Sequence, residues 1–113
     1  MVKKDFKQFR SSRWWSNVQA LRIDSNLSEK DMSQLLGKSD SYYPNAVKNG
    51  GVPNIADALT ISQLFDVTVE EIAFGSIGLE IRKAQLEAEL KRIVEEIEDA
   101  KKDVEGVNKN EKH

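Results

Sequence analysis

Cysteine and histidine, which commonly carry out catalysis or hold metal ions, are nearly absent from this sequence of 113 residues. It has no cysteine, and its one histidine, His113, is the last residue, where a frayed tail is a simpler interpretation than a metal ligand. The 19 carboxylates fall mainly on predicted solvated helix faces, without a nucleophile or base to work with them. The sequence therefore predicts that the protein is not an enzyme and uses no metal or other cofactor.

The same composition indicates the cellular compartment and the number of domains. The lack of cysteine favours a reducing compartment, and the sequence has neither an apolar run of about 18 residues nor a signal-peptide core. We therefore expect a cytoplasmic protein with no membrane contact, consisting of one domain and an appendage.

The clearest local pattern is a pair of short predicted helices, over 28–36 and 39–48, on either side of Gly37. Ser28 and Asp31 have the spacing of a capping box at the start of the first helix, and Gly37 suits the left-handed residue that ends it. Two short helices joined by a glycine turn are the outline of a helix-turn-helix, whose second helix enters the DNA major groove. Met32, Leu35 and Leu36 are predicted to form the buried face of the first helix.

Pro44 is the unusual residue of the second short helix. A proline deep in a helix removes a hydrogen bond and clashes with the preceding turn. If Ser41 is the N-cap, Pro44 occupies the third helical position, where its missing N–H costs nothing. The sequence therefore predicts a late start or an irregular first turn.

Three further helices complete the predicted domain. The apolar face of the first, over 13–24, consists of Trp14, Trp15, Val18 and Leu21. At least one of the two tryptophans is expected to anchor the core, with stacking on nucleic acid bases as the alternative. Asn54 is predicted to cap a fourth helix, and Thr68 to open a capping box for a fifth that Gly75 ends. One side of the fourth helix is formed by Ile55, Ala58, Leu59, Ser62 and Phe65.

From residue 76 the sequence changes to alternating charges with apolar residues in the 4–3 spacing of a coiled coil. The candidate dimerisation residues are Leu79, Leu86, Leu90, Ile93, Ile97 and Val104. With Leu90 at an a position, the flanking pairs Arg82–Glu87 and Glu96–Lys101 are opposite in sign, which matches a parallel dimer. Self-association over about four heptads is the favoured interpretation. The alternative is a solvated single helix or one folded back on its own domain.

Charge is distributed unevenly along the chain. Residues 1–22 carry six cations against Asp5, residues 23–75 carry three lysines against eight carboxylates, and residues 76–113 carry eight basic and ten acidic groups. The basic stretch is either a mobile terminus or an arm that touches phosphates. The acidic middle fits a DNA-binding protein only if the fold places its few cations together.

Family-like residues are found at the turn, Leu36-Gly37, at the exit, Val52-Pro53, and in residues 64–72 (LFDVTVEEI), which are the most specific match. Over 27–72 the chain thus resembles the phage Cro/repressor type of helix-turn-helix, the XRE family. Further matches are Leu27-Ser28, Met32, Ser39, Ala58-Leu59 and Ile61, with Tyr43 at an aliphatic core position. The sequence departs from the family at Glu29, which replaces a phosphate-binding glutamine, at Ser33, which replaces alanine, at Pro44, and at Asn49, which replaces a left-handed glycine.

The resemblance implies a set of DNA-binding residues: Lys38, Ser39, Asp40, Ser41, Tyr42, Asn45 and Lys48. Among them, Asn45 would pair with adenine, Asp40 would accept from a cytosine amine, and Tyr42 would pack on a thymine methyl group. Lys38 and Lys48 would contact phosphates.

Together these observations predict an all-α protein, with a five-helix repressor-like helix-turn-helix domain over 1–75, a coiled-coil dimerisation helix over 76–105 and a disordered tail over 106–113. The predicted function is that of a repressor-like transcriptional regulator, a homodimer on a roughly palindromic site in double-stranded DNA. The alternative is a protein-interaction module that keeps the fold and binds a protein partner through its acidic domain or its coiled coil. Glu29, Pro44 and the acidic middle favour that alternative.

Overall fold

The structure, a computed structural model, describes residues 6–111, with side chains up to residue 103. It is all-α, as predicted, and no strand occurs within these residues. The helices are α1 (Ser11–Asp24), α2 (Glu29–Leu35), α3 (Tyr42–Asn49), α4 (Ile55–Phe65), α5 (Val69–Phe74) and α6 (Ile77–Glu111). None of the described helices is both long enough and apolar enough to cross a membrane.

The chain divides into two compact units, Met1–Ile81 and Arg82–His113. The first unit includes the first residues of α6, after residue 75. The reason is Ile77, which is only 5% exposed because the first turn of α6 packs into the core. The second unit contains the rest of α6.

The core of the first unit is built from large side chains contributed by α1 to α5. The fully buried ones are Trp14, Val18, Met32, Tyr43, Ile61 and Ile72. Trp15 is also buried, so both tryptophans belong to the core and neither presents an exposed ring for base stacking. Asn17 links α1 to the end of α5, because its side-chain amide donates to the carbonyls of Ile72 and Gly75 at 2.8 and 2.9 Å.

Most of the predicted helix ends are found in the structure. Ser28 and Asp31 form a reciprocal capping box, and the side chains of Asn54 and Thr68 accept from the backbone N–H three residues on. Gly37 is left-handed, with φ of 71°. After α3, however, the left-handed residue is Gly50 and not Asn49, which is the last residue of the helix.

The predicted buried faces of α2 and α4 are partly wrong. Ile55 and Leu59 are 79% and 53% exposed, whereas Asp57, Ala58 and Ile61 are buried. In α2, Leu35 is exposed. The inward positions there are held by Met32 and by Ser33, whose hydroxyl is hydrogen-bonded to α3. In both helices a polar side chain with partners in the interior turns the apolar face away from the predicted direction.

In the second unit, α6 presents its side chains to solvent from Arg82 to Asp103. The predicted dimerisation residues Leu86, Leu90, Ile93 and Ile97 are all exposed, as is Leu79 in the part of the helix that belongs to the first unit. Ion pairs Lys83–Glu87 and Arg92–Glu96 link successive turns. The side chain of Val104 lies outside the described residues.

The structure describes α6 as a helix up to Glu111. The disordered segment that the sequence places over 106–113 stays a prediction. Glycine and asparagine lower helix propensity by about 1 kcal/mol or less each without forbidding a helix, and no proline interrupts these residues. His113 lies outside the described residues.

Candidate nucleic-acid interface

The seven residues implied as DNA-binding lie on the turn after α2 and on α3, and the position of α3 depends on Ser33. The Ser33 hydroxyl is buried and accepts from the backbone N–H of Tyr43 at 2.9 Å. Its own proton is shared between two carbonyls, of Asp40 at 3.0 Å and of Glu29 at 3.2 Å. Ser33, one of the departures from the family pattern, therefore joins α2 to the start of α3 through two polar contacts, with the Asp40 carbonyl and the Tyr43 N–H.

Ser33 also explains why Ser41, although it is the N-cap as predicted, makes no side-chain capping bond. An N-cap hydroxyl normally accepts from the second or third helical N–H. Here the third position is Pro44, which has no N–H, and the second is Tyr43, whose N–H is bound by Ser33. The capping role at the start of α3 is thus taken by a side chain of α2, and the proline is accommodated at the position that the sequence predicts.

Tyr43 fixes the back of α3 against α1. Its side chain is fully buried, its ring meets that of Trp15 edge-on with centroids 6.2 Å apart, and its hydroxyl donates to Oε1 of Gln19 at 2.6 Å. Burial raises the pKa of Tyr43 to about 12, so the phenol stays protonated at neutral pH. The assignment of Tyr43 to the core is confirmed, and α3 is anchored by both apolar and polar contacts.

Tyr42 is more constrained than the resemblance implies. It is half-buried, and its hydroxyl donates to Oδ2 of Asp57 on α4. The hydrogen bond to Asp57 raises the pKa of Tyr42. The ammonium of Lys38 lies 5.5 Å from the centroid of the Tyr42 ring. The Tyr42 hydroxyl is therefore already hydrogen-bonded within the protein, so only the ring of Tyr42 is free to contact a base.

The other implied residues form an exposed polar row. Lys38, Ser39, Asp40, Ser41, Asn45 and Lys48 are all exposed. Asp40 is not without partners, because Nε2 of Gln34 lies 3.3 Å from its Oδ1 and Nζ of Lys30 lies 3.9 Å from its Oδ2. Lys30 therefore offsets part of the negative charge that Asp40 would bring to a phosphate backbone.

A second group of cations lies on α1 and on the segment before it. Lys7, Arg10 and Arg13 line a cleft of about 280 Å³ together with Phe74. Arg13 donates to the carbonyl of Phe74 at 3.1 Å, at the carboxyl end of α5 where a cation is favoured. Residues 1–5 of the predicted basic arm lie outside the described residues.

Sequence reasoning missed Ser33, Asn54 and Asp57 as residues that position α3. Asn54 donates to Oδ2 of Asp57 at 3.1 Å, the same oxygen that accepts from Tyr42. The spacing of Asn54 and Asp57, like that of Ser28 and Asp31, is a capping-box signal that indicates a structured carboxylate. The contact with Tyr42, 15 residues away in sequence, has no local signal.

Within the described residues no group of three or more His, Cys, Asp or Glu side chains is arranged to hold a metal ion. Comparisons of the chain with protein-family models, with curated proteins and with solved structures find no match.

Proposed function

We propose that this protein is a Cro/repressor-type DNA-binding regulator of transcription that acts as a homodimer on a roughly palindromic operator. The observation that supports it most is the turn from α2 to α3. Gly37 ends α2, Tyr43 buries the back of α3, and the opposite side carries an exposed row of polar side chains. A short helix with a fixed back and a polar front is what major-groove recognition requires.

The roles proposed within that row follow the chemistry of each side chain. Asn45, which is exposed, binds adenine through its amide, and Lys38 and Lys48 bind phosphates on either side of it. Asp40 accepts from a cytosine amine, while Tyr42 offers its ring to a thymine methyl group. Each bidentate base contact contributes about 1–3 kcal/mol of discrimination against a wrong base.

Dimerisation is proposed through the exposed apolar stripe of α6. Leu86, Leu90, Ile93 and Ile97 lie at heptad positions a and d and are all exposed. A parallel partner helix would cover them and would bring Arg82 near the partner's Glu87. Two recognition helices about one DNA turn apart then bind one operator together, which multiplies weak half-site affinities.

The test is a two-dimensional NMR titration of the full-length, ¹⁵N-labelled protein with random-sequence duplex DNA, at low and then at moderate salt. We expect shifts concentrated at Lys38–Asn49 that weaken as salt rises, because phosphate contacts release counterions. The double variant Lys38→Ala/Lys48→Ala should reduce the salt slope by about 2. Its control, Lys91→Ala/Lys102→Ala, removes the same charge from α6 and should leave the slope unchanged.

A protein-interaction module is the second candidate, and the exposed apolar side chains of the first unit favour it. Val52, Ile55 and Leu59 are all more than half exposed around the start of α4, in a part of the chain where carboxylates outnumber lysines. The titration separates the two candidates. An absence of shifts at low salt, or shifts confined to α6, contradicts DNA binding and leaves the interaction module.

A further inference from the structure

A cleft of about 270 Å³ lies in the first unit, between the end of α3, the loop after it and the start of α4. The lining side chains that matter here are Trp15, Tyr42, Val52, Pro53, Asn54 and Asp57. The cleft combines aromatic and aliphatic walls with one carboxylate, and its volume suits a ligand or ligand fragment of a few heavy atoms.

Asp57 brings a negative charge into this cleft that the described residues do not neutralise. Asp57 is only 7% exposed, and its Oδ2 accepts hydrogen bonds from two neutral donors, the Tyr42 hydroxyl and the Asn54 amide. The ion pairs of the described residues all lie elsewhere, on α2 with Asp40 and on α6. The carboxylate lies in the first turn of α4, where the helix dipole favours a negative charge, and the cleft leaves room beside it for a cationic group.

The second oxygen of Asp57 is the one available to a ligand. Oδ1 accepts no hydrogen bond from the described residues, whereas Oδ2 accepts two. Among the described residues, the fully buried side-chain polar atom without a hydrogen-bond partner is Nε1 of Trp14, and Oδ1 of Asp57 is not such an atom. Oδ1 is therefore not fully buried, and Asp57 is one of the residues that line the cleft.

We propose that this cleft binds a slender organic cation, an alkylammonium or alkylguanidinium group, whose N–H donors bind Oδ1 of Asp57. A charge-assisted N–H···O bond is roughly twice as strong as a neutral one, and this site supplies the charge. The Tyr42 ring stabilises a cation beside it, and Trp15, whose Nε1 donates to the Gly51 carbonyl at 2.7 Å, lines the cleft as a nearly buried wall. Val52 and Pro53 provide an apolar wall for the alkyl chain.

A bound cation would affect the position of α3 through Tyr42. The Asp57 carboxylate that binds the cation also accepts from the hydroxyl of Tyr42, which lies in the first turn of α3. This consequence for DNA affinity rests on the proposed function, but the binding site does not. Binding is therefore measured first in the absence of DNA, so that failure of the site and failure of DNA recognition are distinguishable.

The experiment titrates the full-length ¹⁵N-labelled protein with n-butylammonium chloride, with n-butanol as the uncharged ligand of similar size. We expect saturable shifts at the Trp15 indole, Gly51 and Asn54, with a dissociation constant of about 1–10 mM for so small a ligand. Asp57→Asn keeps an acceptor for Tyr42 and should weaken binding by at least about tenfold. Asp24→Asn makes the same exchange at an exposed site and should leave binding unchanged.

Tyr42→Phe provides a second variant that keeps the carboxylate and removes its neutral partner. It should bind n-butylammonium as tightly as the natural chain or more tightly, because Oδ2 is released for the ligand. Equal shifts with n-butanol, unchanged affinity in Asp57→Asn, loss of affinity in Tyr42→Phe with the fold intact, or shifts that never saturate would each overturn the proposal.

Discussion

The first unit and the second unit use apolar residues in opposite ways. In the first, the largest side chains are buried, and polar groups such as Ser33 and Asn17 have partners on neighbouring helices. In the second, every described side chain of α6 is exposed, and ion pairs one turn apart connect some of these side chains. Surface pairs of this kind contribute about 0.3–0.5 kcal/mol each, which is little for a helix of this length.

The difference indicates where each unit obtains its stability. The first unit is stabilised by its own tertiary packing. Helical stability generally comes from burying an apolar face, and from Arg82 to Asp103 the side chains of α6 are all exposed. Substitutions that are equivalent in chemistry should therefore have different consequences in the two units, in the free energy of unfolding for the first and in self-association for the second.

The largest expected effect comes from removing buried volume in the first unit. Ile61→Ala should lower the free energy of unfolding by about 2–5 kcal/mol, because the side chain is fully buried and leaves a cavity. Leu59→Ala, on the exposed side of the same helix, should change it by no more than about 0.5 kcal/mol. Urea denaturation followed by tryptophan fluorescence measures both, and equal effects would contradict the orientation of α4.

A charge in the α6 stripe should affect association and not the stability of the first unit. Leu90→Glu places a carboxylate at a position of the proposed seam, and we expect the dissociation constant of the proposed dimer to rise by roughly 100-fold. Lys91→Glu, one residue on at a position away from the seam, is the matched control and should leave the dimer intact. Sedimentation velocity over a range of concentrations reports the outcome. A dimer unaffected by Leu90→Glu would place the seam elsewhere.

Ser33→Ala should lower the free energy of unfolding by about 1–3 kcal/mol, since it leaves the buried N–H of Tyr43 without an acceptor. The comparison is Ser41→Ala, which removes a hydroxyl from the N-cap of α3 that makes no capping bond. In the same urea experiment, Ser41→Ala should lower the free energy of unfolding less than Ser33→Ala does. The opposite order would show that the N-cap residue itself, and not Ser33, determines the start of α3.

The smallest expected effect is a pH dependence from the first turn of α2. The backbone N–H of Ser28 binds the Asp31 carboxylate and lowers the pKa of that group, with help from the Ser28 hydroxyl. Because the folded-state pKa is depressed below the ordinary value of an aspartate, the contribution to stability is present above that ordinary value and is lost as pH falls through the folded pKa. Asp31→Asn should flatten the acid limb of a plot of unfolding free energy against pH, measured by urea denaturation at a series of pH values.

How much of this could be predicted from the sequence depends on whether the signal is local. Ser28, Gly37, Asn54 and Thr68 were identified as helix ends because caps and left-handed glycines depend on residues within one turn. The predicted facing of α4 is partly wrong, because apolar periodicity treats Asp57 as a surface residue. The donors that allow its burial include Tyr42, which lies on another helix.

The candidate site shows the same limit. Exposure of Lys38, Asn45 and Lys48 follows from their polarity and from the burial of Tyr43. The engagement of Tyr42 with Asp57 is a tertiary contact, and neither residue type indicates it. Family patterns describe the usual occupants of positions, so they contain no statement about a tyrosine and an aspartate that bind each other.

The capping of α3 by Ser33 has a consequence for the order in which the chain folds. A helix normally carries its own start signal, and nucleation is its costly step. In α3 the signal is supplied by α2, because Pro44 has no N–H to donate and the Tyr43 N–H binds Ser33. A peptide of residues 39–50 alone should therefore stay unstructured in water, and α3 should form only when α2 docks, as one cooperative step.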